Sequence, residues 1–280
     1  MREFGISIAE AQKMIDTRKI SQNGKVIADK SAVVEGAIEV LLFVPQTKGL
    51  QPLFEAPSFA IYDKPSGVMV HPRNRQSGYT LIDEVRHRYG PNANITHRID
   101  KETSGLVLVS KNKQAEKRLK QMFEAKAIQK SYLALVRGRV EKELFIDAPI
   151  LKNCDYSKIK LKVVIDERGK PAQTIVRPLK IWENFTLVEA LPLTGRQHQI
   201  RIHLFHVKHP IVGDPIYGVP TEAAIAYLDQ NLSEEERVRV TGAQRLMLHA
   251  QSLQFTYGTT EYKIVSKANF MKECERLIQT

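Results

Sequence analysis

Apolar residues recur along the chain at two spacings, and the two kinds of segment alternate irregularly. Recurrence every three or four residues predicts helices over 8–15, 81–89, 113–127, 197–205, 222–228 and at the C-terminus. Apolar runs and alternating positions predict strands over 26–28, 38–43, 59–62, 106–110, 132–136, 174–176, 185–191 and 259–264. Because strands outnumber helices without regular alternation, the pattern predicts an α+β fold rather than a doubly wound sheet.

The predicted elements fall into two parts of unequal size. The first, residues 1–45, contains one helix, a turn at Asn23-Gly24 and short strands. The polar stretch over 46–56 is predicted to be a linker, and residues 57–280 are predicted to form the larger domain.

Composition limits the class of protein. The 280 residues are 42% hydrophobic, and no apolar run approaches the about 18 residues that a membrane-spanning helix needs. The N-terminus lacks the apolar core of a signal peptide. Two cysteines, Cys154 and Cys274, exclude a disulfide framework and a cysteine-built zinc cluster, so a reduced cytoplasm is the expected compartment.

Charge is unevenly distributed. The chain carries a formal net charge of +11, and residues 97–139 alone hold eleven basic and four acidic side chains. Residues 217–238 have five acids and one base, which would repel a phosphate backbone. The basic surplus favours a polyanionic partner, although many basic proteins bind none.

The densest polar cluster is HRIDKETSG at 97–105, directly before a predicted core strand. Loops held by a rigid sheet often carry reactive side chains. Asp100, between Arg98 and Lys101, should stay ionised because cations favour the charged form, which suits a nucleophile or a base. Taken alone, the cluster is more typical of a turn with capping Asp, Thr and Ser side chains and solvated cations than of a reactive site.

Two further stretches are candidates. In LTGRQHQIRIH at 193–203, His198 and Arg201 share one face of the predicted helix, so Arg201 can pair with a carboxylate. Arg196 and His198 at the helix start suit phosphate contacts. In KSYLALV at 130–136, Tyr132 lies on a strand, where a tyrosine is ordinarily a packing residue.

Together these stretches resemble the RluA-type pseudouridine synthases. HRIDKETSGLVLVSK, KSYLALVRG and LTGRQHQIRIHLFHVKHPIVGDPIYG are similar to the three motifs of that family, in the family's order. DKPSGVMVHP, GKPAQT and LMLHAQSLQF also match, so the resemblance covers about residues 57–275. The chain departs from the common pattern at Ile99, Glu102 and Asp63, where the family usually has Leu, Asp and Asn.

The resemblance implies a catalytic domain with a mainly antiparallel mixed sheet, and isomerisation of uridine within RNA. Asp100 matches the catalytic aspartate, Arg201 the arginine that pairs with it, and Tyr132 the tyrosine that packs on the target base. Arg98 matches the residue that enters the space left by a flipped base. The remaining expected RNA or substrate contacts are His97, Thr103, Lys130, Arg196 and His198. The reaction is redox-neutral, and neither a metal nor an organic cofactor is implied.

Residues 1–45 resemble the alpha-L (S4-like) RNA-binding module through ISQNGKVIADKSAVVEGAIEVLLF, but the helical half lacks most of the usual basic residues. This module favours 23S ribosomal RNA over transfer RNA as the substrate, and a monomer suffices for the size. Two other functions stay open. One is a non-catalytic RNA-binding or ribosome-assembly protein on the same scaffold. The other is a phosphoryl-transfer enzyme, for which Gly213-Asp214-Pro215 is a poor magnesium site.

Overall fold

A computed structural model describes residues 7–41, 44–72, 78–152 and 162–279. The chain divides into two compact units, residues 1–45 and 46–280. Cys154, Leu42 and Phe43, the last two at the end of the strand expected over 38–43, lie outside the described residues.

The first unit consists of one helix followed by three short strands. Helix α1 (Ile8–Asp16) begins at a capping box in which Ser7 and Glu10 exchange hydrogen bonds. Strands β1 (Ile20–Gln22), β2 (Lys25–Val26) and β3 (Glu39–Val40) form an antiparallel sheet in the order β2-β1-β3. Asn23 and Gly24, with φ of 48° and 73°, form the two-residue turn between β1 and β2 that the sequence indicated.

The second unit contains the remaining described elements. Its helices are α2 (Leu81–Tyr89), α3 (Lys113–Glu124), α4 (Gln199–His206), α5 (Thr221–Leu228), α6 (Glu234–Thr241) and α7 (Phe270–Gln279). Its first strands are β4 (Phe54–Glu55), β5 (Phe59–Lys64), β6 (Asn94–Ile95), β7 (Ser104–Ser110), β8 (Gln129–Arg137) and β9 (Leu144–Asp147). They are followed by β10 (Ile150–Lys152), β11 (Val163–Ile165), β12 (Gln173–Ile181), β13 (Phe185–Pro192), β14 (Leu248–Tyr257) and β15 (Thr260–Val265).

One large sheet organises this unit. Its strand order is β4-β5-β7-β14-β8-β13-β12-β9, with β15 paired to β14 and β6 to β7. Among the described strands, β7 and β14 run parallel and the other neighbours are antiparallel. The α+β prediction with a mainly antiparallel mixed sheet is therefore confirmed.

The pairing of β7 with β14 requires a glycine. A Cβ on Gly105, whose φ is 106°, would lie 2.3 Å from the carbonyl oxygen of Ala250 on β14. Since real Cβ atoms do not approach backbone so closely, only glycine permits this parallel contact. The contact fixes the start of β7, and hence the loop before it, to the centre of the sheet.

Several elements of this unit, among them α6 and β9 to β11, were not expected from the sequence, and two further differences concern the large sheet. Strand β14, which pairs with β7, β8 and β15, was not expected as an element, because LHAQSLQFTY mixes apolar and polar positions. The stretch 46–56 was expected as a linker, but β4 within it pairs with β5. Glu84 also accepts hydrogen bonds from the Thr47 hydroxyl and the Lys48 backbone amide. These contacts hold the stretch on the second unit.

Apolar side chains pack on both faces of the sheet. All seven residues of β7 are buried. On α3, Leu119, Met122 and Phe123 belong to one apolar cluster with residues of β5 and β7, as the helical spacing predicted. Asn112 caps this helix by accepting a hydrogen bond from the Ala115 amide. The loop before β7 is thus carried by a rigid, fully buried strand.

Candidate active site

An aspartate and an arginine from distant parts of the sequence meet at the loop between β6 and β7. Arg201 lies in the first turn of α4, and its side chain is 3% exposed. Its Nη1 donates a hydrogen bond of 3.0 Å to Oδ2 of Asp100. The structure therefore brings together the two side chains that the first and third motifs supply.

Arg201 is itself held by a second carboxylate. Its Nε and Nη2 donate to Oδ2 and Oδ1 of Asp214, each at 2.8 Å. Asp214 Oδ1 also accepts the backbone amides of Ile216 and Tyr217, at 2.9 and 3.0 Å. Such a bidentate pair fixes the guanidinium plane. Arg201 thus presents its remaining donor to Asp100 in one orientation.

The turn that carries Asp214 also depends on a glycine. A Cβ on Gly213, whose φ is 79°, would lie 1.8 Å from the carbonyl oxygen of Arg245. A side chain here would push the turn away from the segment that leads into β14. Gly213 therefore sets the position of Asp214, and through it the position of Arg201.

The charges around Asp100 favour its ionised form. Burial raises the pKa of this carboxyl, but His198, Arg201 and Lys64 outweigh burial and hold the pKa below its ordinary value. For Arg201, burial lowers the pKa, yet Asp214 and Asp100 raise it above the usual range. Both members of the pair therefore stay charged at neutral pH.

His198 lies on the other side of the Asp100 carboxylate. Its Nε2 is 3.8 Å from Asp100 Oδ1, and its Nδ1 is 3.1 Å from the hydroxyl of Tyr217. The Tyr217 hydroxyl also accepts the Val163 amide at 3.0 Å. His198 has φ of 52°, a left-handed conformation that directs its side chain from the N-terminal cap of α4. The third motif thus supplies two nitrogen groups to one aspartate.

Lys64 fixes the backbone next to Asp100 through a hydrogen bond to the Lys101 carbonyl oxygen. This side chain is fully buried, and its Nζ donates to the carbonyl oxygens of Pro65, Val68 and Lys101 at 2.9, 2.8 and 3.1 Å. Burial lowers the pKa of Lys64 to about 7, although Asp100 and Glu102 oppose that shift. Lys64 therefore ties the DKPSG turn to the loop that carries Asp100.

We predict that Lys64→Met destabilises the protein by about 2–4 kcal/mol, because the three hydrogen bonds of a fully buried side chain to the Pro65, Val68 and Lys101 carbonyl oxygens are lost. Urea unfolding of wild type and variant measures the difference. Lys101→Met is the control, since the Lys101 side chain is exposed and its backbone carbonyl is retained. An unfolding midpoint of Lys64→Met equal to that of the control would contradict this prediction.

An open cleft with a cavity volume of about 100 Å³ lies in front of the Asp100–Arg201 pair. Eight of the nine expected site residues line it: Arg98, Asp100, Thr103, Lys130, Tyr132, Arg196, His198 and Arg201. The other lining residues are Ile99, Pro192, Thr194, Gly195, Gln199, Ile200 and Leu248. Four cationic side chains and one histidine thus line the same, mainly polar cleft as one carboxylate.

Tyr132 lies on β8 between two alanines. Its neighbours across the sheet are Ala190 on β13 and Ala250 on β14, and these small side chains leave space beside the ring. Burial, and then the negative charge of Asp100, raise the pKa of Tyr132 above its ordinary value. Its hydroxyl therefore stays protonated at neutral pH while Asp100 is charged.

His97 is the one expected contact residue that the structure places elsewhere. Its Nε2 accepts the Leu108 backbone amide at 3.0 Å, and its ring lies 4.5 Å from the ring of Phe123. Burial lowers the pKa of His97 to about 3, so it is a neutral acceptor. His97 therefore joins the loop to β7 and does not line the cleft.

Among the described residues, no group of three or more His, Cys, Asp or Glu side chains is arranged to hold a metal ion. Asp214, the acid that magnesium-dependent phosphoryl transfer would need, is occupied by Arg201. Among the residues that the structure describes, no helix has both the length and the apolar character needed to cross a membrane.

Comparison with known proteins identifies the family. Residues 58–206, which include the Asp100–Arg201 pair and Tyr132, match the family described as RNA pseudouridylate synthase. A Helicobacter pylori (strain J99) protein named "Uncharacterized RNA pseudouridine synthase" is 39% identical over 263 residues, covering 93% of this chain and 87% of the relative. The chain belongs to the RluA-type pseudouridine synthases. These enzymes are isomerases.

Other relatives and a solved structure agree with this assignment. "Ribosomal large subunit pseudouridine synthase D" of Xanthomonas campestris is 32% identical over 239 residues, covering 84% of the synthase and 70% of the relative. "Human RNA Pseudouridylate Synthase Domain Containing 1" superposes with a TM-score of 0.66 at 25% identity, covering 82% of the synthase and 88% of that chain.

Sequence reasoning did not assign two groups that shape the site of this synthase. Asp214 stands in GDPIYG within the third motif, and its role as the second partner of Arg201 has no local signal beyond that placement. Gln199 accepts from the Thr194 hydroxyl at 2.7 Å and the Arg196 amide at 3.0 Å, and donates to the Gln173 carbonyl at 2.9 Å. Gln199 thereby fixes the cleft wall that carries Arg196.

Proposed function

We propose that this synthase converts specific uridines of large-subunit ribosomal RNA to pseudouridine, with Asp100 as the catalytic carboxylate. The observation that carries the proposal is the charged Asp100 side chain, 28% exposed beside the cleft and oriented by Arg201. The relatives from Xanthomonas campestris and Yersinia pestis are named as synthases of the ribosomal large subunit, which supports the choice of RNA.

The chemistry requires a carboxylate and a place to hold a detached base. The N1–C1′ bond breaks, the uracil turns within the cleft, and C5 bonds to C1′. The proton on C5 then leaves and N1 takes up a proton, so the product is an isomer of uridine. Asp100 can attack C1′, add to the base, or remove the C2′ proton. Each of these routes starts from an ionised carboxylate, which the surrounding cations supply.

Tyr132 is proposed to stack on the target base and to assist removal of the C5 proton. Its raised pKa opposes this second role while Asp100 is charged. Tyr132 can remove the C5 proton only as a phenolate, after its own proton has left to solvent in the open cleft, and both burial and the Asp100 charge disfavour that ionisation. The part due to Asp100 disappears once its charge has been consumed or neutralised in an earlier step. Proton removal by Tyr132 is therefore placed late in the reaction.

We predict that Tyr132→Phe lowers turnover by about 100-fold while RNA affinity changes by less than about threefold, because the ring remains and the hydroxyl is lost. Tyr132→Ala should also weaken RNA binding, since stacking contributes about 1–3 kcal/mol per base. Release of tritium from [5-³H]uridine in RNA measures turnover, and filter binding measures affinity. Equal turnover of Tyr132→Phe and wild type would remove the hydroxyl from the mechanism.

Arg98 is proposed to enter the space left when the target base leaves its stack. Its side chain lines the cleft next to Asp100, and a guanidinium both stacks on bases and forms hydrogen bonds. Flipping a base costs a few kcal/mol, and Arg98 offsets part of that cost. Arg98→Ala should therefore lose more activity on a paired target than on an unpaired one, as measured by tritium release from the two RNAs.

The remaining cations of the cleft are proposed to contact the RNA backbone. Arg196 is exposed, and its Nε donates to the Pro171 carbonyl at 3.1 Å. Lys130 and Thr103 lie deeper, and burial lowers the pKa of Lys130. Together with His198 they form a polar lining suited to phosphate and ribose oxygens. His97 is left out of this group.

Three further features belong to the proposal. Residues 1–45, with a helix followed by antiparallel strands, are proposed as an S4-like RNA-binding module, because their order of elements and the sequence over 20–43 fit that module. We also propose that the protein acts in the cytoplasm, where ribosomal RNA is made, and that it acts as a monomer.

The test maps pseudouridine by carbodiimide labelling and primer extension in ribosomal and transfer RNA from cells with and without the gene. Sites that disappear with the gene and return with purified wild-type protein, but not with Asp100→Asn, would support the proposal and name the uridines. Loss of sites in transfer RNA only would replace the proposed substrate. No lost site, with an inert protein that still binds RNA, would favour the non-catalytic RNA-binding alternative.

A further inference from the structure

Two helices between the Asp214 turn and β14 form a hairpin that the proposed mechanism does not use. The α5–α6 hairpin, Thr221–Leu228 and Glu234–Thr241, lies in the acidic segment of the sequence. The inner face of α5 is apolar: Ala224, Ile225 and Leu228 belong to one cluster with Ile216 and Tyr217. The hairpin is therefore packed beside the turn that carries Asp214. A solvated acidic insertion would not need this apolar inner face.

The hairpin also reaches the loop that carries Asp100. The Tyr227 hydroxyl donates to Oε1 of Glu102 at 2.8 Å, and Nη2 of Arg237 donates to Oε2 at 2.5 Å. The guanidinium of Arg237 lies over the Tyr227 ring, 5.3 Å from its centre. The side chains of Arg237 and Glu102 are 14% and 11% exposed, so this is a desolvated contact rather than a surface ion pair.

The other end of the hairpin supports the partner of Asp100. The carbonyl oxygen of Thr241, at the end of α6, accepts the Gly213 amide at 3.0 Å. Gly213 precedes Asp214, which holds Arg201. One hairpin thus contacts both the loop of Asp100 and the turn behind Arg201.

We propose that the α5–α6 hairpin positions the Asp100–Arg201 pair, with Arg237 and Tyr227 as positioning residues that act through Glu102. This inference rests on the proposed catalytic role of Asp100. Glu102 is two residues from Asp100, and the Thr103 amide donates to the Asp100 carbonyl at 3.2 Å in the same turn. A displacement of Glu102 is therefore transmitted to Asp100 through three residues of tightly bonded backbone.

The surroundings of Glu102 show why the contact matters. Burial raises the pKa of this carboxyl, but Arg237 and Tyr227 outweigh burial and bring the pKa below its ordinary value. Lys101 on the same loop and Lys64 on β5 are the other charged groups that interact with Glu102. Without Arg237, a buried carboxylate loses its main partner and must turn toward water or take up a proton.

The experiment compares Arg237→Gln with Arg239→Gln. Arg239 lies on the same helix, but its side chain is 76% exposed and pairs with Glu236, so its variant is the matched control. The substrate is total RNA labelled with [5-³H]uridine, from cells lacking the gene. Single-turnover tritium release at saturating enzyme gives the rate of the bound complex, filter binding gives affinity, and thermal unfolding gives stability. We expect Arg237→Gln to lower the rate about tenfold or more, with affinity within about threefold.

A lower rate in Arg237→Gln could come from the unbalanced charge of Glu102 or from lost packing. Measuring the rate over a range of pH distinguishes the two causes. In Arg237→Gln, Glu102 keeps the Tyr227 hydroxyl but loses its ionic partner, so burial raises the pKa of Glu102 relative to wild type. Acidification should then protonate Glu102 in the variant before it does so in wild type, and the defect relative to wild type should shrink. Adding Glu102→Gln removes the charge, so the double variant should recover most of the rate at all pH values. Tyr227→Phe, which removes one hydroxyl, should show a smaller loss in rate without a change in affinity.

Three results are decisive. An Arg237→Gln rate within about twofold of the Arg239→Gln rate would overturn the inference. A loss that is independent of pH and is not recovered by Glu102→Gln would also overturn it, because packing alone would then account for the effect. Activity in Asp100→Asn would instead refute the proposed function, and that result is read from a separate sample in the same assay.

Discussion

Asp100→Asn is expected to abolish pseudouridine formation, with a loss of at least about 10⁴-fold in single-turnover rate. Asparagine has nearly the same shape as aspartate but carries no negative charge. Every route open to Asp100, whether attack on C1′, addition to the base or removal of the C2′ proton, needs that charge. Arg201 keeps its two hydrogen bonds to Asp214, so the fold and the cleft should persist.

Tritium release from [5-³H]uridine in RNA measures the loss, and filter binding shows whether the variant still binds RNA. Affinity within about threefold of wild type is expected, because the cationic lining of the cleft is unchanged. Asp229→Asn, at the C-terminal cap of α5, is a control for removal of one exposed carboxylate. Measurable pseudouridine formation by Asp100→Asn above background would refute the assignment.

The pKa of Asp100 also sets the sign of a stability effect. Its folded-state pKa is below the ordinary value of 3.8, so the ionised group stabilises the fold above that pH, and this contribution disappears as pH falls through the lower value. At neutral pH wild type should therefore be more stable than Asp100→Asn. The difference should vanish in strong acid, where Asp100 is protonated in both states.

The sequence indicated most elements of the second unit because their signals are local. The bounds of α2, Leu81–Tyr89, follow from its apolar spacing, and β7 and β13 from their runs of apolar residues. Strand β14 carried no such signal. Its first three residues are all buried and its later residues are mixed, because β14 pairs with β7 and β8 at one end and with β15 at the other. Such a pattern is set by the whole sheet.

In the site, too, the sequence located some residues, whereas the contacts of others depend on the fold. Motif resemblance located Asp100, Tyr132 and Arg201, and the cleft contains all three. It could not identify the second partner of Arg201, since Asp214 is thirteen residues away and its contact depends on the turn that Gly213 permits. Motif resemblance also could not distinguish His97 from the residues that line the cleft. The sequence around a histidine in this loop is the same whether its side chain faces a ligand or accepts the Leu108 amide.

The contact between Glu102 and the α5–α6 hairpin has no sequence signal at all. Glu102 is 125 positions from Tyr227 and 135 from Arg237, and the acidic character of the hairpin suggested only a solvated insertion. Charge counts describe a segment's outer face. They do not reveal that one partly buried arginine of the segment, Arg237, pairs with Glu102.

Arg201→Ala is expected to lower activity by at least about 100-fold, because the donor that orients Asp100 is lost. It should also destabilise the fold by about 3–5 kcal/mol, since Asp214 becomes a buried carboxylate without its ionic partner. The two effects can be separated with Arg201→Ala/Asp214→Asn, in which the stranded charge is removed. This double variant should regain much of the stability but none of the activity.

Urea unfolding measures the first quantity and single-turnover tritium release at a temperature well below unfolding measures the second. Arg201→Lys tests geometry against charge: a lysine retains the positive charge but cannot donate to Asp100 and both oxygens of Asp214 from one rigid plane. We therefore expect Arg201→Lys to stay well below wild type in rate. If it matches wild type, Arg201 acts as a charge alone, and the bidentate bond to Asp214 serves stability rather than the orientation of Asp100.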